Sequence, residues 1–176
     1  MSDAIGYAAL SGNLDTLKMI YKHADLSDND IYTIISYDMQ CSNDEYVEGI
    51  EYLVSKMSDI NTYIDDPNET ILCLAVYNDL EKTSKMLIEH GAEVNLHIIY
   101  NAENTGNSEL MKLLLDNFDI ESINEEERQN LLYKMIEGGD YEIAKYLIDK
   151  GVSIGEDSKK YLEDCPIPKM KSLLEK

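Results

Sequence analysis

An all-α fold, a solenoid of stacked helix pairs joined by short inter-repeat loops, is what this chain of 176 residues predicts. Three observations carry that reading. Segments of one pattern recur along the chain: Lys18-Met-Ile-Tyr, Glu51-Tyr-Leu-Val, Lys85-Met-Leu-Ile, Lys112-Leu-Leu-Leu and Lys145-Tyr-Leu-Ile begin 33, 34, 27 and 33 residues apart. A near-constant period of that size marks a stack of supersecondary units, each too small to bury its own apolar face. Glycine-polar pairs precede three of these segments, at Gly12-Asn13, Gly106-Asn107 and Gly139-Asp140. The core must be filled by Leu, Ile, Met and Ala, because the chain has no Trp and one Phe, Phe118.

The elements follow in order. A first repeat, about residues 1–28, is expected to hold a short helix over 1–11 and a second over 14–23. Asn13 supplies the cap between them, and Asp15 places an acid against the exposed N–H groups of the first turn. The second repeat, 29–65, carries extra residues around Gln40 to Asp44, which predict a longer first helix or turn. The third, 66–95, is the most regular, running from Asn68 through Thr70-Ile-Leu-Cys73 to Gly91-Ala-Glu-Val-Asn95. Repeat four, 96–124, is short after Phe118 and lacks a closing glycine. In repeat five, 125–157, Ile143, Ala144, Tyr146, Leu147 and Ile148 form one apolar face, while Glu142, Lys145 and Asp149 face water. Gly91 and Gly151 close their helices where a left-handed backbone is cheapest. Residues 158–176 form a terminal cap, broken at Pro166 and Pro168. The whole chain, 1–176, is thus expected to make one domain of five repeats and a cap.

These repeats resemble the ankyrin-repeat family. Thr70-Ile-Leu-Cys73 stands for its Thr-Pro-Leu-His helix start, Ala75-Val76 for its Ala pair, and Gly91-Ala-Glu-Val-Asn95 for its ending. Ser58-Asp-Ile-Asn61 repeats that ending in degenerate form, and Gly139 to Gly151 follows the second helix closely. Two departures stand out: Pro is missing from every helix start, and Asp79 occupies the turn position of a glycine. The resemblance implies a helical solenoid whose partners meet the inter-repeat loop tips and the exposed side of the first helices. Carried onto this chain, the tips are Asn61, Tyr63, Asp65, Glu93, Ile120 and Ser122. The first-helix positions are Tyr37, Asp38, Tyr77, Asn78, Asn104, Thr105 and Glu137.

Charge narrows the partner. Asp and Glu number 35 against 15 Lys and Arg, a formal net charge of -20. Such a surface repels nucleic acid and anionic membranes and favours a basic or mixed basic–apolar protein surface. The N-terminus lacks a basic segment leading into an apolar run, and no stretch is long enough to span a bilayer, so a cytoplasmic setting is expected.

Catalytic constellations are missing from the sequence. Cys41, Cys73 and Cys165 form no redox or metal pair, and His23, His90 and His97 share no zinc-ligand spacing. His23 and His90 fall at helix ends, where they complement the last carbonyls. His97 aligns with the helix-start Thr and reads as a local hydrogen-bonding residue. The carboxylate clusters at 25–30, 65–66, 116–121 and 125–127 read as solvated turns, and Asp25 to Asp30 lacks the Gly and Glu of a calcium loop. No metal or cofactor is expected, and no enzyme activity.

The resulting expectation is a protein–protein interaction module, a stand-alone adaptor or inhibitor of a host or cellular protein. Rich Asn, Ile, Lys, Tyr, Asp and Glu usage fits an AT-rich viral or intracellular-bacterial genome, hence the host protein and the host cytoplasm. The rival is an acidic mimic of nucleic acid that blocks a DNA- or RNA-binding protein. Self-association through tyrosine-bearing edges is a further expectation.

Overall fold

Side-chain caps and left-handed turn residues set the rhythm of the chain. The computed structural model describes residues 2–10, 13–41, 44, 47–63, 66 and 68–175. Among them the chain is all-α, without a strand. The first helices are α1 (Ser2–Leu10), α3 (Asp28–Cys41), α5 (Ile71–Tyr77), α7 (Leu96–Glu103), α9 (Glu125–Glu137) and α11 (Glu156–Asp164). Each is followed by a second helix: α2 (Leu14–Tyr21), α4 (Val47–Val54), α6 (Glu81–Glu89), α8 (Ser108–Asp116), α10 (Tyr141–Asp149) and α12 (Pro168–Lys171). This is the helix-turn-helix repeat architecture of the solenoid class.

The chain divides into two compact units, Met1–Leu110 and Met111–Lys176. In the first, α1 packs on α2 and α3, α3 on α4 and α5, and α5 on α6 and α7, while α4 lies against α2 and α6. First helices thus make one layer and second helices another. Its core runs through Ile5, Leu17, Ile31, Ile35, Leu53, Leu72, Leu87 and Ile99, all sealed from solvent. In the second unit α9 packs on α10 and α11, and α11 on α12. Leu131, Leu132, Ile143, Leu147, Leu162 and Leu173 are buried there. Each such side chain contributes roughly 1.5–3 kcal/mol by leaving water.

In four of the helix pairs, α3–α4, α5–α6, α7–α8 and α9–α10, the turn between first and second helix is held by one residue with positive φ. It is Asp44 (65°), Asp79 (55°), Gly106 (70°) or Gly139 (79°). At two of these the next backbone N–H reaches back over the helix end, Leu80 to Ala75 and Asp140 to Met135, and closes a Schellman motif. Three second helices then start on a polar cap of their own: Asn13 accepts from the N–H of Thr16, Asn107 from that of Leu110, and Asp140 from that of Ile143.

Three expectations are corrected. The second helix of the first repeat ends at Tyr21 rather than His23, because the N–H of His23 bonds the Ile20 carbonyl and tightens the chain into a turn. His97 does not take the place of the helix-start Thr. Asn95 does, its side chain accepting from the N–H of Ile98, while His97 lies exposed within α7. The carboxylate clusters are not merely solvated. Asp28 accepts from the N–H (3.0 Å) and hydroxyl of Ser58, Asp116 accepts from the Tyr146 hydroxyl, and Glu125 from the Ser153 hydroxyl. The first two join one repeat to the next, and the third ties the start of repeat five to its end.

Candidate functional site

The residues singled out at the two kinds of position separate into two groups. Helix α5 is seven residues long, so its ends stand about 10 Å apart. Loop residues Asn61, Tyr63 and Glu93 belong to the end where first helices begin. Tyr77, Asn78, Asn104 and Thr105 belong to the end where they finish. Within the loop group, the Asn61 side-chain oxygen accepts from the backbone N–H of Glu93 (2.9 Å), so Asn61 ties two repeats together. Tyr63 is 47% exposed and Tyr37, on α3, 65% exposed. Asp65 lies outside the described residues, as does the side chain of Asp38.

The second unit holds three more. Ile120 is half-buried and Ser122 exposed in a single 3-10 turn, where the Ser122 hydroxyl donates to the Asp119 carbonyl. Glu137, exposed at the end of α9, accepts from the Tyr133 hydroxyl at 3.3 Å. Tyr77, Asn104 and Glu137 are structural equivalents, each two residues before its left-handed turn residue, and all three are exposed.

Four of the first-helix residues converge. Tyr77, Asn78, Asn104 and Thr105 line a shallow depression of about 410 Å³, completed by Asp79 and Asn101. It sits where α5 and α7 end side by side. Tyr77 closes α5 with its ring 73% exposed. Asn78 caps α5 and donates from its amide to the Leu74 carbonyl (2.8 Å). Asn104 caps α7 in the same way, donating to the Tyr100 carbonyl (3.3 Å). The Thr105 hydroxyl donates to Ala102 (2.8 Å) and accepts from the N–H of Asn107. Asn101 donates to the buried sulfur of Cys73 (3.2 Å), joining α7 to α5. Burial pushes the Cys73 thiol above its ordinary range, with the Asn101 bond opposing and the Glu69 and Asp66 charges adding to it. One oxygen of Asp79 accepts from the Asn107 amide at 2.8 Å.

Asp79 and Asn101 were not among the expected site residues. Asn101 sits mid-helix, but its spacing of three from Asn104 places both on one helix face. In the second unit another depression, about 530 Å³, lies beside Tyr133 and Tyr161, whose rings meet edge to face at 6.1 Å, with Asp157, Lys160 and Asp164 around it. The sequence reading missed it, since its residues come from an ordinary helix face and the terminal cap.

Among the described residues no group of His, Cys, Asp and Glu is placed to hold a metal ion. None of the described helices is long and apolar enough to cross a membrane.

Comparison with known proteins agrees with the repeat geometry. The family description "Ankyrin repeats (3 copies)" matches residues 5–98. Alpha-latrocrustotoxin-Lt1a of Latrodectus tredecimguttatus is 28% identical over 142 residues, which is 69% of this chain and 10% of that protein. Alpha-latroinsectotoxin-Lt1a of the same species is 25% identical over 148 residues, 72% of this chain and again 10% of the relative. The chain therefore spans about a tenth of the length of these curated relatives. Among solved structures, the crystal structure of the human ASB11 ankyrin repeat domain is similar with a TM-score of 0.59 and 22% identity. That likeness covers 85% of this chain and 69% of the other, and it bears on the fold alone.

Proposed function

This chain belongs to the ankyrin-repeat family, a family of non-catalytic protein-interaction scaffolds, and from that premise we propose that it binds a partner protein through the face where α5 and α7 end. The observation that carries this reading is the convergence of Tyr77, Asn78, Asn104 and Thr105 on one depression. An exposed tyrosine ring offers large contact area at little cost in side-chain entropy, and the carboxamides around it offer directional hydrogen bonds. Neighbouring repeats hold the group rigid, so little freedom is lost on binding.

The partner in this reading is a cellular or host protein with a basic or mixed basic–apolar patch, met in the cytoplasm and recruited, masked or inhibited by surface complementarity. The net charge of -20 favours a basic partner and speeds encounter at low salt. The test uses a partner purified after affinity enrichment on the wild-type chain, with Tyr77→Ala and Asn104→Ala variants whose melting temperatures match wild type. Loss of about tenfold or more in affinity in either variant supports this face. Unchanged affinity in both removes it. A salt titration of the same pair separates this reading from nucleic-acid mimicry, in which affinity would fall steeply with ionic strength.

A further inference from the structure

We infer that the depression beside Tyr77 receives the guanidinium of an arginine side chain carried by the partner, an inference that rests on the interaction reading above. Its basis is a hydrogen-bond inventory of the lining. A carboxamide offers two N–H donors and one oxygen acceptor. Asn78 and Asn104 each direct the amide nitrogen inward to a carbonyl of their own helix, and Asn101 directs its own to the Cys73 sulfur. Each keeps a second N–H open, but the lone pairs of their side-chain oxygens, two apiece, take no donor from the described residues and outnumber those three N–H groups. Asp79 engages Asn107 through one carboxylate oxygen, and its second oxygen remains open. The Thr105 hydroxyl has its proton committed to Ala102. The lining therefore presents an excess of acceptors, one negative charge, no side-chain cation and one exposed aromatic ring.

Arginine matches that inventory. Its guanidinium carries five N–H donors and no acceptor, is always charged, and is planar enough to stack on a tyrosine face while its edge meets oxygens. Lysine brings three donors on a compact and strongly hydrated charge, and serves a spread of acceptors on two helix ends less well. An anionic group would meet unpaired acceptors and a carboxylate. The depression of the second unit differs, because Lys160 stands among its lining residues.

The test is an NMR titration of the full chain with N-acetyl-arginine methylamide, its lysine counterpart and its citrulline counterpart, at low ionic strength. Binding of the arginine amide should saturate, shift the side-chain amide signals of Asn78, Asn101 and Asn104 together with the Tyr77 ring, and be about tenfold tighter than that of the other two. Asp79→Asn keeps a residue tolerant of the left-handed turn and an oxygen for Asn107, yet it should weaken arginine binding about fivefold or more. Tyr77→Ala should do the same. Equal binding of the three probes, shifts confined to other residues, or no saturable binding overturns the inference. A peptide-display selection on the wild-type chain keeps the two readings apart. Binders that lose affinity in Tyr77→Ala but contain no arginine sink this inference and leave the interaction reading standing. Binders indifferent to both Tyr77→Ala and Asn104→Ala sink the interaction reading itself.

Discussion

The carboxylate of Asp44 receives both the backbone N–H of Thr83 (2.9 Å) and its hydroxyl (2.6 Å), although 39 residues separate them. The N–H of Lys82 joins the same carboxylate at 2.6 Å. Asp44 thereby caps α6 from the preceding repeat, since Leu80, the residue at the cap position of α6, offers no side-chain bond. A left-handed backbone favours glycine, yet here the side chain has a task that glycine cannot perform. Two effects oppose each other in Asp44→Gly. Relief of the left-handed conformation stabilises by under about 1 kcal/mol, and loss of a charged cap with three donors costs about 2 kcal/mol. Denaturant unfolding of Asp44→Gly should show a net loss of about 1 kcal/mol. A variant as stable as wild type would show that the cap contributes nothing.

Asp28 makes a second such link, to the N–H and hydroxyl of Ser58 and the N–H of Asp59. The Ser58 hydroxyl and then its N–H hold the Asp28 carboxyl below the usual carboxylate range. A lowered folded-state value means stabilisation fully present above the unfolded value of about 3.9 and lost as pH falls through the folded one. Asp28→Asn should therefore be less stable than wild type by about 0.5–1 kcal/mol from about pH 5 to 7, with the two curves converging towards about pH 2. A gap that persists unchanged in acid would assign the difference to shape rather than charge.

These links explain what the sequence showed and what it hid. Gly106 and Gly139 were legible as turns because the left-handed backbone selects glycine, and both have positive φ. Asp79 read as a departure from the pattern, but it keeps the same backbone and reaches Asn107 of the next repeat. Such a partner is set by the stacking of repeats, which local patterns do not encode. The same limit hid the bond from the Glu93 N–H to Asn61, a residue chosen on position alone. His97 was misplaced because Asn95 was read as the end of one repeat, when its side chain caps the helix that opens the next. Of the depression, Tyr77, Asn78, Asn104 and Thr105 were visible as helix-end positions. Asn101 was not, because its sulfur partner Cys73 lies 28 residues back.

Cys73 gives a chemical check on the packing of α5 against α7. Its side chain is 4% exposed, and burial raises its thiol above the ordinary range, so thiolate is scarce and reagents are shut out. Cys165 is only partly covered. Under native conditions near neutral pH, iodoacetamide should label Cys165 at least about tenfold faster than Cys73, read by site-resolved mass spectrometry. Denaturant should abolish the difference. Comparable native rates at the two sites would mean that the end of α5 opens far more readily than its burial implies.

Ser84 and Thr83 are neighbours on α6, both sealed from solvent, with opposite polar fates. The Thr83 hydroxyl is held by Asp44, whereas the Ser84 hydroxyl has no hydrogen-bond partner. A buried hydroxyl without a partner costs about 1–3 kcal/mol, and alanine also has the higher helix propensity. Ser84→Ala should therefore stabilise the protein by about 1 kcal/mol, since the small void left by one oxygen offsets only part of the gain. Thr83→Val is nearly isosteric, but it strips a bonded hydroxyl from a charged acceptor and should destabilise by about 1–2 kcal/mol. Urea unfolding of both variants reads the pair directly, and the opposite signs are the prediction. If Ser84→Ala proved destabilising while Thr83→Val was neutral, polar satisfaction would not govern this helix, and packing volume alone would.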